Sequence, residues 1–189
     1  MTDDLTQLFD RATITRTASA DEISDLQAQI GPLPPSCVLF ARTFGYGTTN
    51  GLFVIEMPFG MFDNDGLLVR SVELHDQVHS LVDHYREDGI AIGDLDCLEP
   101  YDDESRDIAH FFDALRLYGS SINGEYLCWR RDQDDFKFHV IDRACLSIRC
   151  AGTSLIQFIR KAQTSEIKTL LGSGYQALPR TFEGATAEG

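Results

Sequence analysis

Apolar and polar positions alternate most clearly between residues 114 and 162. The alternation predicts strands over residues 114–118, 125–130, 136–141 and 146–150, then a helix over 153–162. Leu146, Ile148 and Cys150 fall on one face and Ser147 and Arg149 on the other, the signature of a half-buried strand. Phe136, Phe138 and Val140 alternate in the same way with Lys137, His139 and Ile141. Leu127 and Trp129 share one face, Tyr126 and Cys128 the opposite one. A strand apolar on both faces is expected to be central and covered on both sides. Asn123-Gly124 marks a turn, because both residues tolerate positive φ, and residues 131–135 form a polar turn. Thr153 is expected to cap the following helix. Leu155, Ile156, Ile159 and Ala162 are its inward stripe, and Arg160 and Lys161 suit its C-terminal dipole.

Earlier in the chain the helical period of about 3.6 takes over. Ser19 and Glu22 have capping-box spacing, which predicts a helix over 21–30 with Ile23, Leu26 and Ile30 inward and Gly31-Pro32 as the stop. Leu33-Pro34-Pro35 opens a second, short helix with Val38, Leu39 and Phe44 inward, ended by Gly45-Tyr46-Gly47. A strand is expected over 52–56, stopped by Met57-Pro58, then a loop over 59–66. The longest helix is predicted over 71–88, from the spacing of Leu74, Val78, Leu81, Val82 and Tyr85. Residues 90–92 read as a short strand and 107–113 as a helical turn. Residues 1–18 and 173–189 carry few apolar anchors. The expectation is therefore a loosely ordered N-terminus (1–18), one domain (19–172) and a flexible tail (173–189).

Charge narrows the function classes. Thirty acids against sixteen bases give −14, which argues against direct binding to nucleic acid, since phosphate contacts need clustered Lys and Arg. An acidic surface favours solubility and steers a basic partner. The densest acidic tract holds Asp94, Asp96, Glu99, Asp102, Asp103, Glu104 and Asp107, with Arg106 opposing. No apolar run approaches the roughly 18 residues of a membrane span. Met1-Thr2-Asp3-Asp4 shows no apolar export core, so a cytoplasmic location is expected. Cys37, Cys97, Cys128, Cys145 and Cys150 are odd in number and lack zinc-like spacing. They read as reduced thiols, with Cys128, Cys145 and Cys150 buried within strands.

Catalytic and metal signals are weak. Asp63-Asn64-Asp65-Gly66 resembles part of a calcium loop, but the twelfth position is Leu74 where a Glu is needed. His75 and His79 share a helical face, yet Asp76 stands where a zinc peptidase has Glu, and no third ligand is evident. Gly45-Tyr46-Gly47 lacks the third glycine of a dinucleotide loop and follows a helix, and no Gly-x-Ser-x-Gly elbow occurs. Cys128 and His139, on neighbouring strands, are one Cys–His nucleophile candidate; cross-strand core packing is the competing explanation.

Leu33-Pro34-Pro35, the helix end Phe44-Gly45-Tyr46-Gly47, the run Asn123-Gly124-Glu125-Tyr126-Leu127-Cys128-Trp129 and the later Ser154-Leu155-Ile156-Gln157-Phe158-Ile159 resemble the SUKH superfamily. That superfamily includes fungal cell-wall-assembly regulators and many bacterial immunity proteins. The resemblance spans about residues 19–163 and leaves out the acidic tract and the helix before it. It implies a single α+β domain, with a mixed, mainly antiparallel sheet of about five or six strands packed with helices. It also implies a protein-binding module with no catalytic residue, cofactor or metal. A bacterial immunity protein that neutralises a cognate toxin, such as a nuclease, is the first expectation. A regulatory scaffold is the alternative, and a small hydrolase a distant one. The expected partner is a basic toxin domain, met by Asp94, Asp96, Glu99, Asp102, Asp103 and Glu104 and by Asp132, Asp134 and Asp135 on the hairpin turn.

Overall fold

Ser19 and Glu22 close a complete capping box at the start of α1 (Ala20–Ile30). The Glu22 amide donates to Ser19 Oγ at 3.2 Å, and the Ser19 amide donates to Glu22 Oε2 at 2.8 Å. The computed structural model describes residues 5–56, 72–77, 79–80, 83–84, 87–88, 114–143 and 147–185. Gly31, at φ +87°, ends α1, and Ile23 and Leu26 are buried. In α2 (Pro35–Thr43) the inward residues are Cys37, Phe40 and Ala41, followed by the buried Phe44. That is i, i+3, i+4, i+7 spacing, set by the phase that Pro35 begins. Of the expected inward residues Phe44 is buried and Val38 is partly buried against the core, whereas Leu39 is 40% exposed.

Among the described residues eight strands form one open sheet: β1 (Arg11–Thr13), β2 (Gly47–Thr49), β3 (Phe53–Ile55), β4 (Arg116–Ser121), β5 (Tyr126–Asp132), β6 (Asp135–Ile141), β7 (Ile148–Gly152) and β8 (Thr181–Gly184). Their order is β1-β8-β2-β3-β4-β5-β6-β7, antiparallel throughout except for the parallel β1–β8 pair. With α3 (Leu155–Ala162) and α4 (Ile167–Leu171) this is a single α+β domain. β5 is an interior strand, as its apolar faces require. The cap of α3 is Ser154 rather than Thr153: Ser154 Oγ accepts from the Gln157 amide at 3.1 Å. Thr153 instead donates its own amide to Gln157 Oε1 at 2.9 Å.

Cross-strand register sorts the side chains. Phe53, Leu127, Trp129, Phe138, Val140 and Phe182 share the face that packs on the helices, with Phe53 against Phe158 of α3 and Phe182 against Phe40 of α2. A bulge between Leu117 and Gly119 turns Tyr118 onto this face, where its ring meets Phe138 and Phe158. Leu117, Cys128, His139 and Ile141 lie on the opposite face and are also buried. Residues 72–77 are helical, and Gln77 Oε1 accepts from the Tyr126 hydroxyl at 2.9 Å, which sets this helix on the second face. Leu74 is buried. The predicted loop at 59–66, strand at 90–92 and turn at 107–113 lie outside the described residues, as do Val78, Leu81, Val82 and Tyr85 side chains.

The chain ends differ from expectation. The supposed flexible tail contains β8, an interior strand whose Phe182 is 0% exposed, and Tyr175 and Leu178 pack on the core. The supposedly loose N-terminus contains β1 and the buried Leu8. Local apolar content is low in both segments. Their order comes from non-local strand pairing and from one aromatic cluster, formed by Phe9, Phe40, Phe44 and Phe182. These additions raise the sheet above the five or six strands expected.

Candidate functional site

Of the nine acids expected to meet a partner, Asp94, Asp96, Glu99, Asp102, Asp103 and Glu104 lie outside the described residues. Asp132, Asp134 and Asp135 stand together at the β5–β6 hairpin. Strands run further than the polar pattern suggested, so Asp132 and Asp135 are the closing pair and Gln133-Asp134 make the turn, Gln133 at φ +54°. Asp134 and Asp135 are exposed. Asp132 is engaged within the hairpin: Lys137 Nζ donates to its Oδ2 at 2.7 Å, a diagonal cross-strand pair. That hydrogen bond, opposed by some burial, holds the Asp132 carboxyl below its ordinary range.

Arg130, Arg131 and Lys137 share this hairpin end with the three acids. Three positive charges therefore stand against three negative ones, so the tip is a mixed-charge surface. The acidity lies elsewhere in the chain. Residues 57–113 hold fifteen acids and three bases, a net charge of −12; the remaining residues hold fifteen acids and thirteen bases, a net charge of −2. The acidic segment is inserted between two neighbouring strands. Ile55 of β3 pairs with Gly119 of β4, and the Glu56 amide donates to the Tyr118 carbonyl at 2.9 Å. The chain thus leaves the sheet and returns to it at adjacent points.

Cys128 and His139 are directly opposite each other on β5 and β6, as their positions on neighbouring strands allowed. Cys128 is 0% exposed and His139 4%. Burial, reinforced by Arg130 and Lys137 and partly offset by Asp132, pushes the His139 pKa down to about 3. An imidazole that is neutral at pH 7 beside a fully buried thiol does not present an accessible thiolate, which nucleophilic chemistry needs. This supports core packing for the pair. Cys37 is buried as well, and desolvation raises its thiol pKa. Cys150 departs from expectation: it lies on edge strand β7 opposite His139 and is exposed. Cys145 is outside the described residues.

Among the described residues no group of three or more His, Cys, Asp or Glu side chains is placed to hold a metal ion, His75 and His79 included. No described helix is long and apolar enough to cross a membrane. One buried acid was not singled out by pattern: Glu56 is 2% exposed just past β3, and Ser120 Oγ donates to its Oε1 at 3.4 Å. Its signal was present in the sequence as the one charge in the apolar run 52–56. No family model matches this chain, and neither a curated protein nor a solved structure does.

Proposed function

We propose that this protein is a non-enzymatic binding module, an immunity protein that neutralises a toxin domain by occupying its basic surface. The observation that carries this reading is the placement of charge. A net −12 is concentrated in the insertion at 57–113, while the rest of the chain is close to neutral at −2. A protein using charge for solubility alone has no need to confine it to one segment. A nuclease holds phosphates with clustered bases, and an acidic surface competes for those bases as a substrate mimic. The resemblance to the SUKH superfamily, whose bacterial members include immunity proteins, supports the same role. The mixed charge of the hairpin tip makes Asp132, Asp134 and Asp135 secondary contributors. Asp94, Asp96, Glu99, Asp102, Asp103 and Glu104 are the primary ones.

Affinity capture from the native host tests this. The wild-type chain should retain a basic protein at low salt and lose it as salt screens the contact. The six-fold Asn/Gln variant of the primary acids should retain less while staying folded. Retention of an acidic partner, or retention that ignores both salt and substitution, would defeat the electrostatic mechanism. Substrate turnover by the purified chain would defeat the binding-module reading itself.

A further inference from the structure

The chain holds three asparagines, Asn50, Asn64 and Asn123, and two of them, Asn50 and Asn123, precede a glycine. Before glycine, an asparagine side chain is open to attack by the next main-chain nitrogen, because no Cβ shields that nitrogen. The two Asn-Gly pairs sit in opposite surroundings. Asn50, in the β2–β3 turn, is 1% exposed. Its amide donates to the Thr181 carbonyl and its Nδ2 to the Pro179 carbonyl, both at 2.8 Å, so β8 and its approach cover it. Asn123, in the β4–β5 turn, is exposed next to Ile122, which is 67% exposed. Its Nδ2 donates to the Tyr175 hydroxyl at 2.9 Å. The turn itself hangs on Ser121. The Asn123 and Glu125 amides donate to Ser121 Oγ at 3.0 and 3.2 Å, and the Gly124 amide donates to the Ser121 carbonyl at 3.1 Å. Opening that last bond, at an exposed tip, frees the Gly124 nitrogen. The stem of Arg143 runs along Gly124, where a Cβ would lie 3.1 Å from Arg143 Cδ, and so brings a positive charge to the amide that must lose its proton.

We propose that Asn123 is a site of spontaneous deamidation in the folded protein, converted through a cyclic imide to an aspartyl or isoaspartyl residue, and that the fold protects Asn50 from the same reaction. The Gly124 nitrogen gives up its proton to solvent base and bonds to Asn123 Cγ. The Cγ–Nδ2 bond breaks, and Nδ2 takes a proton from solvent and leaves as ammonia. Water then opens the imide. Attack at Cγ releases the Gly124 nitrogen from the side chain and leaves an aspartyl residue; attack at the main-chain carbonyl carbon leaves an isoaspartyl one. The balance is one water in and one ammonia out, with nothing oxidised or reduced. Either product replaces the donor to Tyr175 by a carboxylate two residues from Glu125, and the isoaspartyl product adds a methylene to the backbone of the turn. The tie between the β4–β5 hairpin and the segment that leads into β8 is therefore altered as the chain ages. The inference does not rest on the toxin-binding role.

The test ages the intact chain, folded at neutral and at mildly alkaline pH and, in parallel, unfolded in guanidinium chloride. Samples are digested under mildly acidic conditions, where the cyclisation is slow. Peptides carrying positions 50 and 123 are then weighed for the amide-to-acid mass increase and chromatographed to separate aspartyl from isoaspartyl products. In the folded chain the position-123 peptide should convert at least about ten-fold faster than the position-50 peptide, because an exposed turn opens locally whereas Asn50 is freed only when β8 leaves. Conversion at position 123 should be faster at alkaline pH. In guanidinium chloride the two peptides should convert at similar rates, which assigns the difference to the fold. Asn123→Gln should abolish conversion at position 123, since its longer side chain does not close the five-membered ring. A position-123 peptide that stays unchanged in the folded chain while it converts in the unfolded one overturns the proposal. Equal conversion at positions 50 and 123 in the folded chain overturns it as well.

Discussion

Cys128 and His139 face each other across β5 and β6 on a buried sheet face, and the imidazole is held neutral there. The folded His139 pKa of about 3 lies below its ordinary 6.5. Between about pH 3 and 6.5 the unfolded chain therefore binds up to one more proton at this site than the folded one. The resulting contribution to stability is fully present above pH 6.5 and declines as pH falls towards 3. Denaturant unfolding at pH 7.5, 6 and 4.5 should show the wild type losing more stability than His139→Gln over that range. Equal losses in the two proteins would place His139 in contact with solvent.

Thiol reactivity should divide the described cysteines. Cys150 is exposed, whereas Cys37 and Cys128 are buried. Alkylation of the native protein, followed by peptide mass mapping, should label Cys150 rapidly and leave Cys37 and Cys128 protected until unfolding. Rapid labelling of Cys128 would contradict the buried sheet face.

Core aromatic residues on two interior strands far apart in the sheet, β5 and β8, should matter alike. Trp129 is 3% exposed and packs edge-on to Phe136 at 5.4 Å; Phe182 sits in the four-ring cluster. Trp129→Ala and Phe182→Ala should each cost about 3–5 kcal/mol in urea unfolding. A mobile tail would make Phe182→Ala nearly silent.

Two glycines with similar φ should respond differently. Gly45, at φ +79°, would place a Cβ 1.7 Å from the Arg16 carbonyl oxygen, whereas Gly31, at φ +87°, has no atom within 4 Å of its Cβ position. Gly31, with ψ −167°, lies in a backbone region that is nearly exclusive to glycine, so Gly31→Ala should cost about 1–3 kcal/mol from backbone conformation alone. Gly45→Ala adds a clash with the main chain and should cost more than about 3 kcal/mol. Comparable thermal shifts for the two would refute the close approach of the N-terminal segment to Gly45.

The sequence carried much of the central fold because its signals are local. The alternation in β5 and β6, the Ser19–Glu22 box and the inward residues of α3 each sit within about ten residues and act on their own neighbourhood. β1 and β8 escaped notice because three or four residues are too few to show a period, and each is ordered by a partner far away in the chain. Asn50-Gly51 was as readable as Asn123-Gly124: both residues take positive φ, and the Leu52 amide closes the β2–β3 turn on the Thr49 carbonyl at 3.1 Å. In α2 the expected Val38 and Phe44 do meet the core, but the stripe centres on Cys37, Phe40 and Ala41, which leaves Leu39 exposed. Charge at the hairpin is read from its acids in the expectation above, although Arg130, Arg131 and Lys137 flank those acids within two residues and were equally legible.

We propose that the acids of the 57–113 segment recruit a basic partner. The most direct measurement of this is the association rate with the captured partner across a salt series, for the wild type and for the six-fold variant of Asp94, Asp96, Glu99, Asp102, Asp103 and Glu104. Electrostatic steering acts mainly on encounter. The wild-type association rate should fall steeply with salt. The variant should associate about ten-fold or more slowly at low salt and converge on the wild type at high salt. Identical, salt-independent association rates for the two proteins would contradict the account.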